Sequence, residues 1–424
     1  MRKILFIFCA TVLCAMSPCR AEQAGELLQE HAAIQISSKV SDGKLSLTEI
    51  IAIARKNKVR VVILGERDLM KWEYGIWPLA GLVKKTVEDN SLLRYGVKRY
   101  LEELGDLQEK NPDMLIIPGV ESAPYYYWTG SPLERNMKIH DWHRHIMSFG
   151  YSSSADYRHL PVIGNPAGAG KRFDQYMGDQ GVAPYKQYIG YARKAGALTF
   201  WTHPEALNHE RLGDVVTETA DYSDLLERID DYTGFFIFYE GYKKVGAARG
   251  VWDSILMDYC AGRRRHPVWA AAGLAADASA DLDNNLKGLR TVLLLYSFSR
   301  EAVLEAISRG RMYAEWGKDA ADFVLDDFSL NAGARKAISG EELTTSTGAV
   351  EVVIRGHLLH GQGRAFRIQL IKNGEVARIF ESEGPDFSVS YRDEKTAPGK
   401  SYYRVELSFP GLHLFTNPVF LSAP

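Results

Sequence analysis

The side chains best equipped for chemistry in this 424-residue chain include a local histidine cluster and an aromatic run. His140, His143 and His145 make an H-x-x-H-x-H pattern. On a strand the last two share a face, which suits a zinc site, although exposed histidines ahead of a strand are the commoner case. Tyr125, Tyr126, Tyr127 and Trp128 follow the segment PGVE. At the C-terminal end of a barrel strand, Tyr125, Tyr127 and Trp128 could stack on an aromatic or sugar ring of a substrate, or simply pack under a loop. The segment GNPAGAGKR (164–172) has the look of a phosphate loop. It fails because the glycine spacing is off by one and Arg172 stands where a Ser or Thr must hold magnesium. Asp156, His159 and the serines at 152–154 make a serine triad on paper, but no G-x-S-x-G elbow occurs. Cys260, beside Tyr259 in a predicted helix, reads as buried rather than nucleophilic. RRRH (263–266) ends a predicted helix and reads as solvated, dipole-favoured charge.

The elements that must position such groups follow from hydrophobic periodicity. From Ile34 to about Trp316, short β-branched runs alternate with helical patterns, the mark of a βα-repeat domain with a parallel sheet or barrel. Strands are expected at 60–64, 114–118, 146–150, 197–202, 235–239, 268–273 and 291–296. Helices are expected at 47–57, burying Leu47, Ile50, Ile51 and Ala54, and at 300–311, burying Val303, Leu304 and Ile307. The Gly-containing stretch 151–184 reads as a lid or rim loop, or as a plain insertion. Beyond about Ala320 the pattern changes to strands separated by turn signals, near 323–330, 350–355, 364–372, 376–381, 386–391 and 401–408, which predicts a small antiparallel sandwich.

Arg2 and Lys3, an apolar run from Ile4 to Met16, and small residues before Ala21 predict a Sec signal peptide cut after Ala21, and so a periplasmic or secreted protein. Cys9, Cys14 and Cys19 leave with it. Only Cys260 then remains, which excludes an internal disulfide and a cysteine-built zinc site. A net charge of -2 argues against a nucleic-acid groove, and no later apolar run is long enough to span a bilayer. The expected partner is a small-molecule substrate or ligand, with no membrane contact after signal removal. The expected division is 1–21 signal peptide, 22–319 first domain and 320–424 second.

Residues 33–68 give the frame a family context: an apolar strand, an SDG turn, an amphipathic helix and a second apolar strand ending in Gly65-Glu66-Arg67-Asp68. The frame resembles the PHP (polymerase and histidinol phosphatase) superfamily, whose pattern is roughly D-x-H-x-H-T-x-x-S-D-G, helix, strand, T-D-H-D. PGVE (118–121), HIMSFG (145–150), FWTHP (200–204) and GLAADAS (273–279) follow in the family's order. AVLEAISRGRMYAEWG (302–317) and TNPVFL (416–421) are similar to the secreted carbaryl-hydrolase-like branch. The resemblance covers residues 33 to 316 and implies an α/β fold, a distorted (βα)7 barrel of PHP type, ahead of the C-terminal antiparallel β-sandwich.

Carried over residue by residue, the resemblance gives Glu121, His145, His203 and Asp277 as metal ligands. Gln35, Ser37, Arg67 and Ser279 stand where four family ligands are replaced. Family chemistry uses two or three ions to activate a water. Gln35 offers at best a carbonyl oxygen, Ser37 and Ser279 are poor ligands, and an arginine binds no metal. Two readings follow. In one, a reduced centre holds a single zinc, iron or manganese on Glu121, His145 and His203, with Asp277 as fourth ligand or base and Arg67 steadying an oxyanion. The function would then be that of an exported phosphoester or carboxylic ester hydrolase. In the other there is no metal: Arg67 neutralises Glu121 and Asp277, Glu66 joins that network, and a catalytically inactive pseudo-enzyme binds a small anionic or aromatic ligand through Arg67 and the 125–128 aromatics.

Overall fold

The computed structural model describes residues 27–75, 84–131, 133–274, 281–346, 348–361, 363–394 and 396–423. The expected signal peptide therefore lies outside the described residues, as do Asp277 and Ser279. No described helix is long and apolar enough to cross a membrane.

The architecture is mixed α/β. The apolar runs of the first three quarters of the chain become strands close to the expected positions, including Val61–Leu64, Leu115–Ile117, Ile146–Phe149, Leu198–Trp201 and Trp269–Ala272. Their pairing departs from a purely parallel arrangement. One six-stranded sheet runs Trp269–Ala272, Gly234–Phe238, Leu198–Trp201, Ile146–Phe149, Gly119–Ser122, Glu66–Arg67. Its Ile146–Phe149 strand is antiparallel to both neighbours, while the other pairs are parallel. A second sheet starts at Leu115–Ile117, passes in parallel through Val61–Leu64 to Leu28–Ile36, and then turns antiparallel at Leu289–Leu295 and Met312–Trp316.

Two short chain links join these sheets. Val61–Leu64 and Glu66–Arg67 are separated by Gly65 alone, and Leu115–Ile117 and Gly119–Ser122 by Pro118 alone. Proline has no N–H to give a ladder, which favours the change of sheet there. A side chain at Gly119 would place its Cβ 2.4 Å from the Leu64 carbonyl oxygen, so only glycine fits that crossing. The described pairings do not close the strands into one ring.

Helices cover this framework for the expected reasons. Leu47–Lys56 starts at a capping box, in which Ser46 Oγ accepts from Glu49 N–H (3.3 Å) and Glu49 Oε2 from Ser46 N–H (2.7 Å). It buries Leu47, Ile50, Ile51 and Ala54. Arg300–Arg309 is capped by Ser299, ends at Gly310 in the left-handed region (φ 73°), and buries Val303, Ala306 and Ile307, with Leu304 half-buried.

Two pieces have no counterpart in the periodicity. Tyr127–Thr129, Met137–His140, Asn208–Leu212 and Val215–Thr219 form a separate four-stranded sheet, and Lys71–Gly75 pairs with Lys84–Glu88. Tyr126, Trp128, Met137, Ile139 and Trp142 form their own small core there.

After Trp316 the chain is almost all strand. Phe323–Ala332, Arg335–Ile338, Val350–Leu358 and Asp386–Asp393 make one antiparallel sheet. Arg364–Lys372, Glu375–Gly384, Gly399–Phe409, Leu412–Thr416 and Val419–Ala423 extend the eleven-stranded sheet that begins in the first half. Phe323, Val352 and Ile354 of the former share a core with Ile368, Val405 and Leu407 of the latter. The two parts are tied by Arg404, whose Nε and Nη2 each lie 2.7 Å from an oxygen of Asp253. The Asn417 side chain adds bonds to Ala270 N–H, Ala270 O and Met312 O.

Candidate metal centre

The reversed strand Ile146–Phe149 is what assembles the site. Arg67 and Glu121 are register partners on parallel strands and end at the same sheet edge. His203 follows Leu198–Trp201, which runs antiparallel to Ile146–Phe149, so the residue just before that strand, His145, comes to the same edge. The bond from Thr202 N–H to His145 O (3.2 Å) holds the two histidine-bearing turns together. Four residues distant in sequence thus meet where parallel strands end, the usual place for a ligand in such sheets.

Glu121, His145 and His203 each offer one ligand atom, and these atoms lie within 4.8 Å of one another. His145 Nδ1 is 3.2 Å from Glu121 Oε1. His203 Nε2 donates to the His143 carbonyl oxygen (3.0 Å), which leaves Nδ1 of its neutral ring with a free lone pair. His203 adopts φ 30°, a strained backbone for a side chain of this size. Arg67 enters the same space. Its Nη1 lies 2.9 Å from His145 Nδ1 and 3.3 Å from Glu121 Oε1, and its Nε lies 3.1 Å from Asp42 Oδ2.

The charges follow from burial and from these neighbours. Burial pushes the Glu121 carboxyl up, but the Arg67 guanidinium and the His145 and His203 rings outweigh it and hold the group well below the usual carboxylate range. Burial and then Arg67 push His145 well below the ordinary imidazole value. Burial, His203 and Arg67 bring His143 down to about 4. His203 is lowered chiefly by burial, against the pull of Glu121. Near neutral pH the site is therefore one carboxylate, one guanidinium and three uncharged imidazoles.

That donor set fits one divalent ion. Ionised carboxylate and neutral imidazole are the forms that bind zinc, iron or manganese. Glu121 Oε1 is buried and accepts no hydrogen bond, so it retains capacity for a cation. A larger cluster is not supported by the described residues. Gln35 and Ser37 are buried at the end of Leu28–Ile36, where a bulge interrupts the pairing and Gln35 takes φ 70°, and both are weak donors. Arg67, a permanent cation, binds no metal.

The SDG turn and the GERD segment build the floor. Glu66 is wholly buried and accepts from Ser38 Oγ and Ser41 Oγ, each at 2.6 Å. Ser41 Oγ also accepts from Arg67 N–H (3.1 Å), and Asp42 holds the guanidinium. A Cβ at Gly43 would come within 2.3 Å of Ser37 O, so the turn requires glycine. Asp68 accepts from Ser122 Oγ (2.6 Å), and burial pushes its carboxyl up to about 7.

Other singled-out residues sit elsewhere. The Tyr125 hydroxyl donates to Asp174 O and Gly178 O, and Trp128 Nε1 to Glu73 O, so both rings are buried with their polar ends engaged. Tyr127 is half-buried and stacks on His140 at 4.7 Å between centroids. Arg264 is not solvated as expected: it is buried and its Nη1 donates to Leu226 O (3.2 Å). Asp156 caps a short helix with Ser153, which rules it out of a triad. Burial raises the Cys260 thiol to about 12, in keeping with an unreactive residue. The two features that sequence reasoning missed are the His143 backbone carbonyl and the Asp42 carboxylate. Only the SDG motif gave any signal of the latter.

No family model matches the chain, and no curated protein matches it either. Among solved structures the chain is similar to a two-domain protein containing a predicted PHP-like metal-dependent phosphoesterase from Bacteroides vulgatus. The identity is 12%, with 90% of this chain and 92% of that chain covered and a TM-score of 0.38. It is also similar to a candidate metal-dependent phosphoesterase from Bifidobacterium adolescentis, with 13% identity, 49% of this chain and 76% of that chain covered and a TM-score of 0.25.

Proposed function

We propose that this chain is an exported hydrolase of PHP type that cleaves a phosphoester, or less readily a carboxylic ester, at a mononuclear metal centre held by Glu121, His145 and His203. The observation that carries the reading is the convergence of these three side chains at one sheet edge, in the protonation states that metal ligands require. A divalent ion bound there would supply Lewis acidity to the scissile group and a nucleophile from water at neutral pH. Arg67 contributes a fixed positive charge beside the site, and its planar fork of donors suits a phosphoryl group better than a single ester carbonyl. The His143 carbonyl fixes the tautomer of His203, and Asp42 orients Arg67. Asp277 keeps its place as fourth ligand or base on the strength of the family resemblance alone. The proposal includes a distorted barrel over 22–319, a β-sandwich over 320–424, and periplasmic or secreted location after cleavage at Ala21.

A second reading is favoured by one distance, the 2.9 Å between Arg67 Nη1 and His145 Nδ1. With the guanidinium as its resident cation, the site would be a metal-free pocket for a small anionic ligand. Elemental analysis of protein purified without chelators, beside a His203→Ala control, separates the two. About one ion per chain in the wild type, lost in the control together with phosphomonoesterase activity, supports the hydrolase. Absence of metal from both samples, with no turnover, replaces it with the binding pocket.

A further inference from the structure

We propose that Arg67 is a tethered counter-ion that competes with a divalent ion for Glu121 and His145, so that an anionic ligand drawing the guanidinium aside helps load the centre. The inference rests on the metal-holding reading above and adds a control to it. Arg67 Nη1 lies 2.9 Å from His145 Nδ1 and 3.3 Å from Glu121 Oε1, and those two atoms are 3.2 Å apart. A single guanidinium nitrogen therefore faces atoms of two of the three residues that would hold an ion. A divalent ion and a guanidinium at such range repel strongly in a poorly solvated site.

Arg67 has a second anchor that does not involve the centre. Its Nε lies 3.1 Å from Asp42 Oδ2, and its backbone N–H donates to Ser41 Oγ at 3.1 Å. The side chain is thus held near its stem while Nη1 reaches inward. It is also the more accessible partner, 14% exposed against 2% for Glu121, so a dissolved anion meets the guanidinium first. Phosphate-like oxygens engage guanidinium in a bidentate fork. An anion that does so weakens the hold on Glu121, whose Oε1 has no hydrogen bond to compensate. Reciprocity then requires anion and ion to raise each other's affinity.

The test is a set of Mn2+ titrations on metal-free mature protein, with free ion read by electron paramagnetic resonance, in the presence and absence of methylphosphonate. Wild type is compared with Arg67→Ala and with Arg67→Gln, which retains a polar stem beside Asp42 should alanine fail to fold. Removing the counter-ion is expected to tighten Mn2+ binding on the order of tenfold, and methylphosphonate to tighten the wild type by about fivefold or more while leaving both variants unchanged. Equal Mn2+ affinity in the wild type and a folded variant, or the same response to methylphosphonate in both, overturns the competition and leaves the three-ligand centre standing. No Mn2+ bound by any folded form overturns the centre and the competition together.

Discussion

A buried arginine, Arg404, and a half-buried one, Arg67, each face a buried carboxylate, and they do so differently. Arg404 meets Asp253 through two bonds of 2.7 Å, and the remaining capacity of Asp253 is taken by the Tyr402 hydroxyl (2.7 Å) and the Arg249 N–H (2.8 Å). Arg67 meets Glu121 through one contact of 3.3 Å and shares the same nitrogen with His145. The first carboxylate is saturated and its pair joins two parts of the fold. The second is unsaturated, with an oxygen that no donor satisfies. Saturation distinguishes a structural lock from a site that can still accept a ligand.

Breaking the lock is expected to have the largest effect. Asp253→Ala leaves Arg404 buried and unpaired and should cost about 3–5 kcal/mol, read from urea unfolding. Arg67→Ala should cost less, about 1–3 kcal/mol near neutral pH, because the contact it removes is single and longer. Its cost should depend on pH. The folded-state value of Glu121 is depressed, so its stabilisation is present above the unfolded carboxyl value and is lost as pH falls through the folded one. Wild type and Arg67→Ala should therefore converge in acid, and added Mn2+ should restore part of the variant's stability at neutral pH.

A third buried carboxylate sharpens the contrast. Glu315 is wholly buried and its nearest cation, Arg290 Nη1, is 3.5 Å away. Burial lifts its carboxyl to about 8 against the pull of Arg290. The folded value lies above the unfolded one, so the folded state favours the proton and stability falls as pH rises between the two. Glu315→Gln should flatten that decline, stabilising the fold above roughly pH 8 and changing little near pH 5 in thermal melts. A gain of the same size at both pH values would show that Glu315 does not titrate on unfolding.

The sequence made the strands legible because each is a short apolar run bounded by turn residues, and Val61–Leu64, Leu198–Trp201 and Arg364–Lys372 sit close to their expected places. Direction was not legible. Nothing in IMSF distinguishes a strand that runs with its neighbours from one that runs against them, because the run is buried on both faces. Lys71–Gly75 and Lys84–Glu88 escaped notice because KWEYG and KKTVE are too charged to read as strands. Glu121, His145 and His203 are singled out through the motif order of the PHP resemblance, not through periodicity. The contact between Asp42 and Arg67, and the carbonyl of His143, depend on how distant turns meet, which periodicity does not encode. Arg264 was misread because a guanidinium can satisfy itself on backbone carbonyls inside a loop as well as in water.

The strand Met312–Trp316 pairs with Leu289–Leu295 on one side and Leu412–Thr416 on the other. Its second neighbour arrives from about a hundred residues later in the chain. A protease that clipped the chain between Trp316 and Phe323 and released the remainder would bare the N–H and C=O groups of 312–316 along a ready-made edge. Such an edge recruits strands from other molecules. Shaved of its C-terminal strands, the remaining part would be a seed for self-association rather than a free-standing unit.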